Sequence, residues 1–314
     1  MINARRSAIA GIACATLLSC AVPGMGAETA APAPPGTLAR TVLLPDGRHI
    51  RMTCAGSGSP TVILEAGLDW GGSWSWLQVL TQAGQFTHVC AYDRAGTGFS
   101  DAGPMPRDAV HIASDLHALL RAAAEKPPYV LVGQSLGGAL VRLYRARYAS
   151  EVAALVLVDP SQPGPNEWRV PWLATFKECL KLANEQAITH TTKNCMPPGM
   201  DNPPPFVVEV ARKPGTWKTA LSEIEHVNAY FDELESTEHA PFSTPLIVLT
   251  ASEQSALDKA ALAEWIAGHK RIATQSSRGE QRLVPGSSHG IQVDRPEVVV
   301  HAIHDAISQT DVSP

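Results

Sequence analysis

The residue with the clearest chemical use is Ser135, in Gly133-Gln134-Ser135-Leu136-Gly137-Gly138. Tyr129, Val130, Leu131 and Val132 precede it as a β-type run, and Ala139, Leu140, Val141, Leu143 and Tyr144 follow at helical spacing. In that setting Gly-x-Ser-x-Gly reads as a nucleophile elbow, a strained strand-to-helix bend whose small residues let the backbone lift the serine Oγ clear of a sheet. The five-residue pattern alone arises by chance in roughly one chain in ten of this length. The flanking strand and helix therefore carry the argument. The helix start also brings free backbone N–H groups and the positive end of a dipole to the same spot.

A second loop belongs to the same chemistry. The β-branched run 61–65 enters Ala66-Gly67-Leu68-Asp69-Trp70-Gly71-Gly72, whose exposed N–H groups could hold an oxyanion. The Leu68 and Leu136 amides are the expected donors.

The elements needed to position these loops follow in order. Residues 41–44 and 49–53 flank Pro45-Asp46-Gly47-Arg48 and predict an antiparallel hairpin. A helix is expected around 74–83, a strand at 88–92, and a helix over 107–124 that Pro127 and Pro128 stop. The loop 93–100 reads as structural, with Asp93 and Arg94 paired. An apolar strand at 153–158 ends at Asp159-Pro160. Strands at 246–250 and 281–284 and helices near 256–268 and 296–307 complete the alternation. Strands buried on both faces and alternating with helices predict a mostly parallel sheet with helices on both faces, an α/β fold. Between residues 161 and 244 the alternation stops, and prolines, aromatics and helical patches predict an inserted, mainly helical cap. The α/β core is then 40–160 and 245–310.

Composition bounds the rest. A chain of 314 residues, 45% hydrophobic and 18% charged, is large enough for one α/β domain with an insertion. The formal charge of −5 gives no nucleic-acid footprint, and a neutral or apolar small molecule is the expected partner. Arg5 and Arg6 followed by an apolar run predict a secretory signal over 1–26, with an Ala/Pro-rich linker at 27–39. The protein is therefore expected to be exported, periplasmic or extracellular, and membrane-bound only if Cys20 is lipidated. Of the 6 cysteines, Cys54, Cys90, Cys179 and Cys195 lie beyond the signal. An even number in an exported chain suggests Cys54–Cys90 in the core and Cys179–Cys195 in the insertion. None of the four sits at metal-ligand spacing, and no metal is expected.

Residues 132–138, 66–68, 91–100 and 287–292 together resemble the α/β-hydrolase superfamily, in particular its serine esterases and lipases with a cap insertion. The resemblance spans 41–308 apart from the insertion. Epoxide hydrolases and haloalkane dehalogenases on this fold use an aspartate at the elbow, so Ser135 argues against both. The resemblance places the base in the loop directly after the last strand, where His289 alone among 11 histidines stands. Strand C-termini of a parallel sheet share one edge, so His289 can reach Ser135. Most members carry the acid after the strand that here is 246–250, but Gln254 holds that place, with Glu253 beside it. Asp159 ends the preceding strand, a position some members use, and is the expected acid, with Glu253 the alternative.

The resemblance then implies an exported carboxylic ester hydrolase working through an acyl-enzyme, without cofactor or metal. The same triad would serve a carbon–carbon, amide or peptide hydrolase, and a non-catalytic binding protein could keep the fold. Trp168, Trp172, Phe176, Trp217 and Phe231 in the insertion are candidate walls of an apolar substrate site or the insertion's own core.

Overall fold

A computed structural model describes residues 33–164, 169–197, 200–238, 241–254 and 257–310. The expected signal, Cys20 and Trp168 lie outside the described residues. The first half of the chain forms β1 (Thr37–Leu43), β2 (His49–Ala55), β3 (Thr61–Glu65), α1 (Leu77–Ala83), β4 (Val89–Tyr92) and α2 (Ala109–Ala122). The elbow region supplies β5 (Tyr129–Gln134), α3 (Leu136–Arg147) and β6 (Val152–Val158). Four helices follow: α4 (Arg169–Asn184), α5 (Pro205–Ala211), α6 (Pro214–Glu225) and α7 (Val227–Thr237). The chain closes with β7 (Leu246–Ala251), α8 (Lys259–Ala273), β8 (Gly279–Val284), α9 (Ile291–Asp294) and α10 (Pro296–Ser308).

The sheet order is β1-β2-β4-β3-β5-β6-β7-β8. Only β2 runs against its neighbours, β1 and β4, while β4 through β8 are parallel. The period-2 alternation of side chains explains why the central strands read as continuous apolar runs. Ile63, Leu131, Leu155, Leu157 and Val248 pack on one face with Leu116 and Leu120 of α2 and Val141 and Tyr144 of α3. Val62, Val130, Val132, Val156 and Leu249 pack on the other with Leu80 of α1 and Val299 and Ile303 of α10. The central strands thus carry apolar side chains toward both faces, whereas the edge strands β1 and β8 alternate with exposed residues.

The loop after β4 differs from its expected pairing. Asp93 accepts from the Ser73 amide and hydroxyl and from the Phe99 amide, and Arg94 turns away to carboxylates elsewhere. Adjacent residues project in different directions from an extended backbone, so neighbours in sequence are poorly placed to pair.

Helices α4–α6 share an apolar core that contains Phe176, Val208, Trp217, Leu221 and Ile224 and includes Trp70 of the loop after β3, whereas α7 packs through Tyr230 and Leu234 against α2 and α3. A bridge between Cys179 and Cys195 ties α4 to the segment before α5, and a second joins Cys54 to Cys90, which face each other across β2 and β4. The Cys179–Cys195 bridge closes a loop of separation 16, and both residues are fully buried. On the chain-entropy model such a loop contributes about 3 kcal/mol. Cys179→Ser with Cys195→Ser should lower the unfolding free energy by about that much, read as a lower urea midpoint. An unchanged midpoint would mean that the helical core alone holds this segment.

Candidate active site

The elbow is built by backbone contact. Ser135 has φ 51° and ψ −120°, a region that L-residues rarely occupy and that needs enforcement from its surroundings. Its amide donates to the Val158 carbonyl at 3.1 Å, and its carbonyl accepts from Gly138 and Ser161, each at 2.9 Å. The flanking glycines leave room for these contacts. A Cβ on Gly133 would lie 2.3 Å from the Gly137 carbonyl oxygen, and one on Gly137 2.5 Å from those of Glu65 and Ala66. Gly67 is pressed against the same turn, since its Cβ would stand 3.0 Å from that of Ser135. The Leu68 loop and the elbow therefore touch. The Leu68 and Leu136 amides have no protein acceptor among the described residues.

One strand over, Asp159 also ends its strand at positive φ, 44°, held by a 2.8 Å bond from its amide to the Leu249 carbonyl. Its carboxylate is fully buried and receives four donors. The Ala251 amide (2.9 Å) and the Trp265 indole N–H (3.1 Å) bond to Oδ1. The Gln254 amide (2.8 Å) and His289 Nδ1 (2.6 Å) bond to Oδ2. A buried carboxylate so surrounded avoids the cost of an unmet charge. His289 is half-exposed, and its carbonyl accepts from the Gln134 side chain at 3.1 Å, which ties its loop to β5. Asp294 caps that loop by accepting from the Ser288 amide and hydroxyl at 2.8 and 2.6 Å. Ser135 Oγ is bonded to Ser161 Oγ at 3.2 Å rather than to His289. Unliganded sites commonly hold such bonds loosely.

The alternative acid is placed elsewhere. Glu253 is exposed and accepts from the Gly286 amide at 3.0 Å, so its carboxylate serves the loop after β8 and not His289. Gln254, at the position where most of the superfamily would carry an acid, donates to Asp159 instead. Trp265, His269, Gln254 and Ser161 were not expected from sequence. Only Gln254 left a signal, as a departure at a marked position. His269 is fully buried, and burial lowers its pKa. With its Nε2–H donating to the Pro160 carbonyl at 2.8 Å, its Nδ1 accepts from Thr250 Oγ at 2.9 Å, the pattern of a neutral ring.

Of the candidate aromatics, Trp217 is fully buried with its indole N–H on the Ala211 carbonyl at 2.7 Å. Its ring packs on Trp70 and Phe176, with centroids 5.0 and 5.7 Å away. Phe231 packs with Leu136, Leu140 and Tyr230 against α2 and α3. These three belong to packed cores, whereas Trp172 is 41% exposed. Among the described residues one group combines metal-binding donor types, Cys54, His88, Cys90 and Glu125, within 4.8 Å. Its two sulfurs are joined to each other, and His88 is hydrogen-bonded to Glu125, which raises the imidazole pKa. A disulfide sulfur is not a thiolate ligand, and the imidazole Nε2 is already engaged by Glu125.

The comparisons agree with this architecture. YqjL, an uncharacterized protein of Bacillus subtilis (strain 168), is 27% identical over 255 residues, 80% of this chain and 84% of its own. The haloalkane dehalogenase DatA from Agrobacterium tumefaciens C58 superimposes with a TM-score of 0.68 at 18% identity, over 88% of this chain and 97% of that one. A thermophilic esterase from Thermogutta terrifontis gives 0.62 at 18% identity, over 87% and 98%. Both likenesses are of fold. The family model for the alpha/beta hydrolase family matches residues 42–302. With most of its length matched and its strands in this order, the chain belongs to the alpha/beta hydrolase family.

Proposed function

We propose that the protein is a serine hydrolase acting on carboxylic esters, with Ser135 as nucleophile, His289 as general base and Asp159 as the carboxylate that orients it. The observation that carries the reading is the 2.6 Å contact between His289 Nδ1 and the buried Asp159 Oδ2, one strand away from a serine at a strained elbow. Asp159 keeps the proton on Nδ1, which leaves Nε2 free to take the serine proton as Oγ exchanges Ser161 for the base. The attacked carbonyl oxygen becomes an anion between the Leu68 and Leu136 amides. His289 then returns its proton to the leaving alcohol and activates the water that releases the acyl group. The substrate is a neutral or apolar ester, and helices α4–α7 form the cap over the site. Export follows from the leader-like first segment and is part of the same proposal.

Ser135→Ala should abolish hydrolysis of p-nitrophenyl butyrate and labelling by a fluorophosphonate probe, with the melting temperature retained. Labelling that survives the substitution would put the nucleophile elsewhere. Asp159→Asn should lower kcat by about three to four orders of magnitude with little change in KM, and Glu253→Gln should stay within a few-fold of wild type. The reverse order would return the acid to Glu253.

Asp69, next to Leu68, supplies a pH test. Burial pushes its carboxyl up to about 6, against the opposing bonds from the Gly71 amide and the Trp74 indole. Because the folded pKa lies above the unfolded one, Asp69 favours the folded state most below about pH 4, and that contribution is lost between about pH 4 and 6. Asp69→Asn should therefore gain stability relative to wild type across that window, measured as the difference in melting temperature at each pH. A flat difference would remove Asp69 as the titrating group.

A further inference from the structure

Arg94 lies behind the loop that carries Leu68, and its guanidinium is enclosed, with 2% of the side chain exposed. All five of its N–H groups have acceptors. Nε and Nη2 donate to the two carboxylate oxygens of Glu223 at 3.1 and 2.8 Å. Nη1 donates to Glu65 Oε1 at 2.9 Å and to the Ala66 carbonyl at 2.7 Å, and Nη2 reaches the Gly67 carbonyl at 2.6 Å. Glu65 is itself fully buried and accepts from the Tyr92 hydroxyl on its other oxygen. A planar fork filled in this way has one orientation.

The Gly67 carbonyl and the Leu68 N–H belong to one peptide unit. That unit is trans, so the two groups point in opposite directions. Fixing the carbonyl therefore fixes the N–H. Gly67 itself is pressed against the Ser135 turn, on the side where a Cβ would meet Gln134 and Ser135. We propose that Arg94 is a positioning residue that aims the Leu68 amide at the oxyanion by holding the Gly67 carbonyl from behind. Glu223 of α6, from the inserted helices, braces it through the bidentate pair. The inserted segment and the oxyanion loop are thereby linked through one side chain. A guanidinium suits this task where an ammonium would not, because a point charge cannot span two carbonyls and two carboxylates at once.

The inference rests on the reading of Ser135 and Leu68 given above, and the experiment separates the two. Wild type is first assayed with p-nitrophenyl butyrate and a fluorophosphonate probe; if it neither turns over nor is labelled, both readings fall. Given an active wild type, Arg94→Lys should lower kcat by about 10- to 100-fold, less than outright loss of an oxyanion donor, and leave KM within about threefold. Affinity for a trifluoromethyl ketone, which forms the tetrahedral adduct, should fall by the same factor as kcat. A merely structural arginine would lower the melting temperature and the fraction of active protein, leaving kcat per labelled site unchanged. That result would overturn the inference and spare the nucleophile assignment. Should Arg94→Lys not fold, Glu223→Gln carries the test, because the amide keeps one acceptor oxygen and turns a donor toward the fork. It should lower kcat per labelled site by about 3- to 10-fold at constant KM, and an unchanged kcat would overturn the proposal.

Discussion

The parallel pairing of β5, β6 and β7 is the constraint on which the site depends. It sets the ends of three strands side by side, so that the Val158 carbonyl holds the Ser135 amide and the Leu249 carbonyl holds the Asp159 amide. Both held residues sit at positive φ, and such backbone costs about 1–3 kcal/mol apiece. The sheet's continuous apolar faces supply the stability that tolerates this. Loss of register by one residue would turn every core side chain to the wrong face and separate the serine from the carboxylate at the same time.

Of the charged groups buried within this frame, Asp159 and Arg94 are each met on every side. Asp159 accepts four donors on its two oxygens, while Arg94 spends five donors on five oxygens. Burial works against the arginine's charge, but Glu223 and Glu65 outweigh it and raise its pKa. Burial likewise raises the pKa of Glu65 against the pull of Arg94. Buried ions are poor sources of net stability, and removing one partner leaves an uncompensated charge. What they supply here is orientation, one of an imidazole and the other of a peptide plane.

Helices α4–α6 make a core of their own and share it with Trp70 of the loop after β3. Trp217 packs its ring between Phe176 and Trp70, which stands two residues beyond Leu68. Apolar packing through Trp70 and the charged pair through Arg94 thus join α6 to the same loop by two chemically different contacts. The Cys179–Cys195 bridge closes the part of this segment poorest in regular structure.

Much was legible in the sequence because it is written in short-range patterns. The buried strands announced themselves as unbroken apolar runs, the elbow as glycines around a serine between a strand and a helix, and the hairpin as Asp46-Gly47 between two β-type stretches. The elbow pattern and the resemblance brought forward Ser135, His289 and, as alternative acids, Asp159 and Glu253. The neighbours of those residues were not brought forward that way. Gln254 bonds Asp159 across 95 residues, Trp265 across 106, and Arg94 reaches Glu223 across 129. Asp93 and Arg94 are adjacent in sequence yet serve different partners. Local propensity and periodicity determined which segments become strands and helices and which small residues permit the turn. Only the tertiary structure decided which carboxylate meets the histidine and which donors surround it, because a hydrogen bond between distant segments depends on sheet register and helix docking, and neither leaves a periodic trace in the chain.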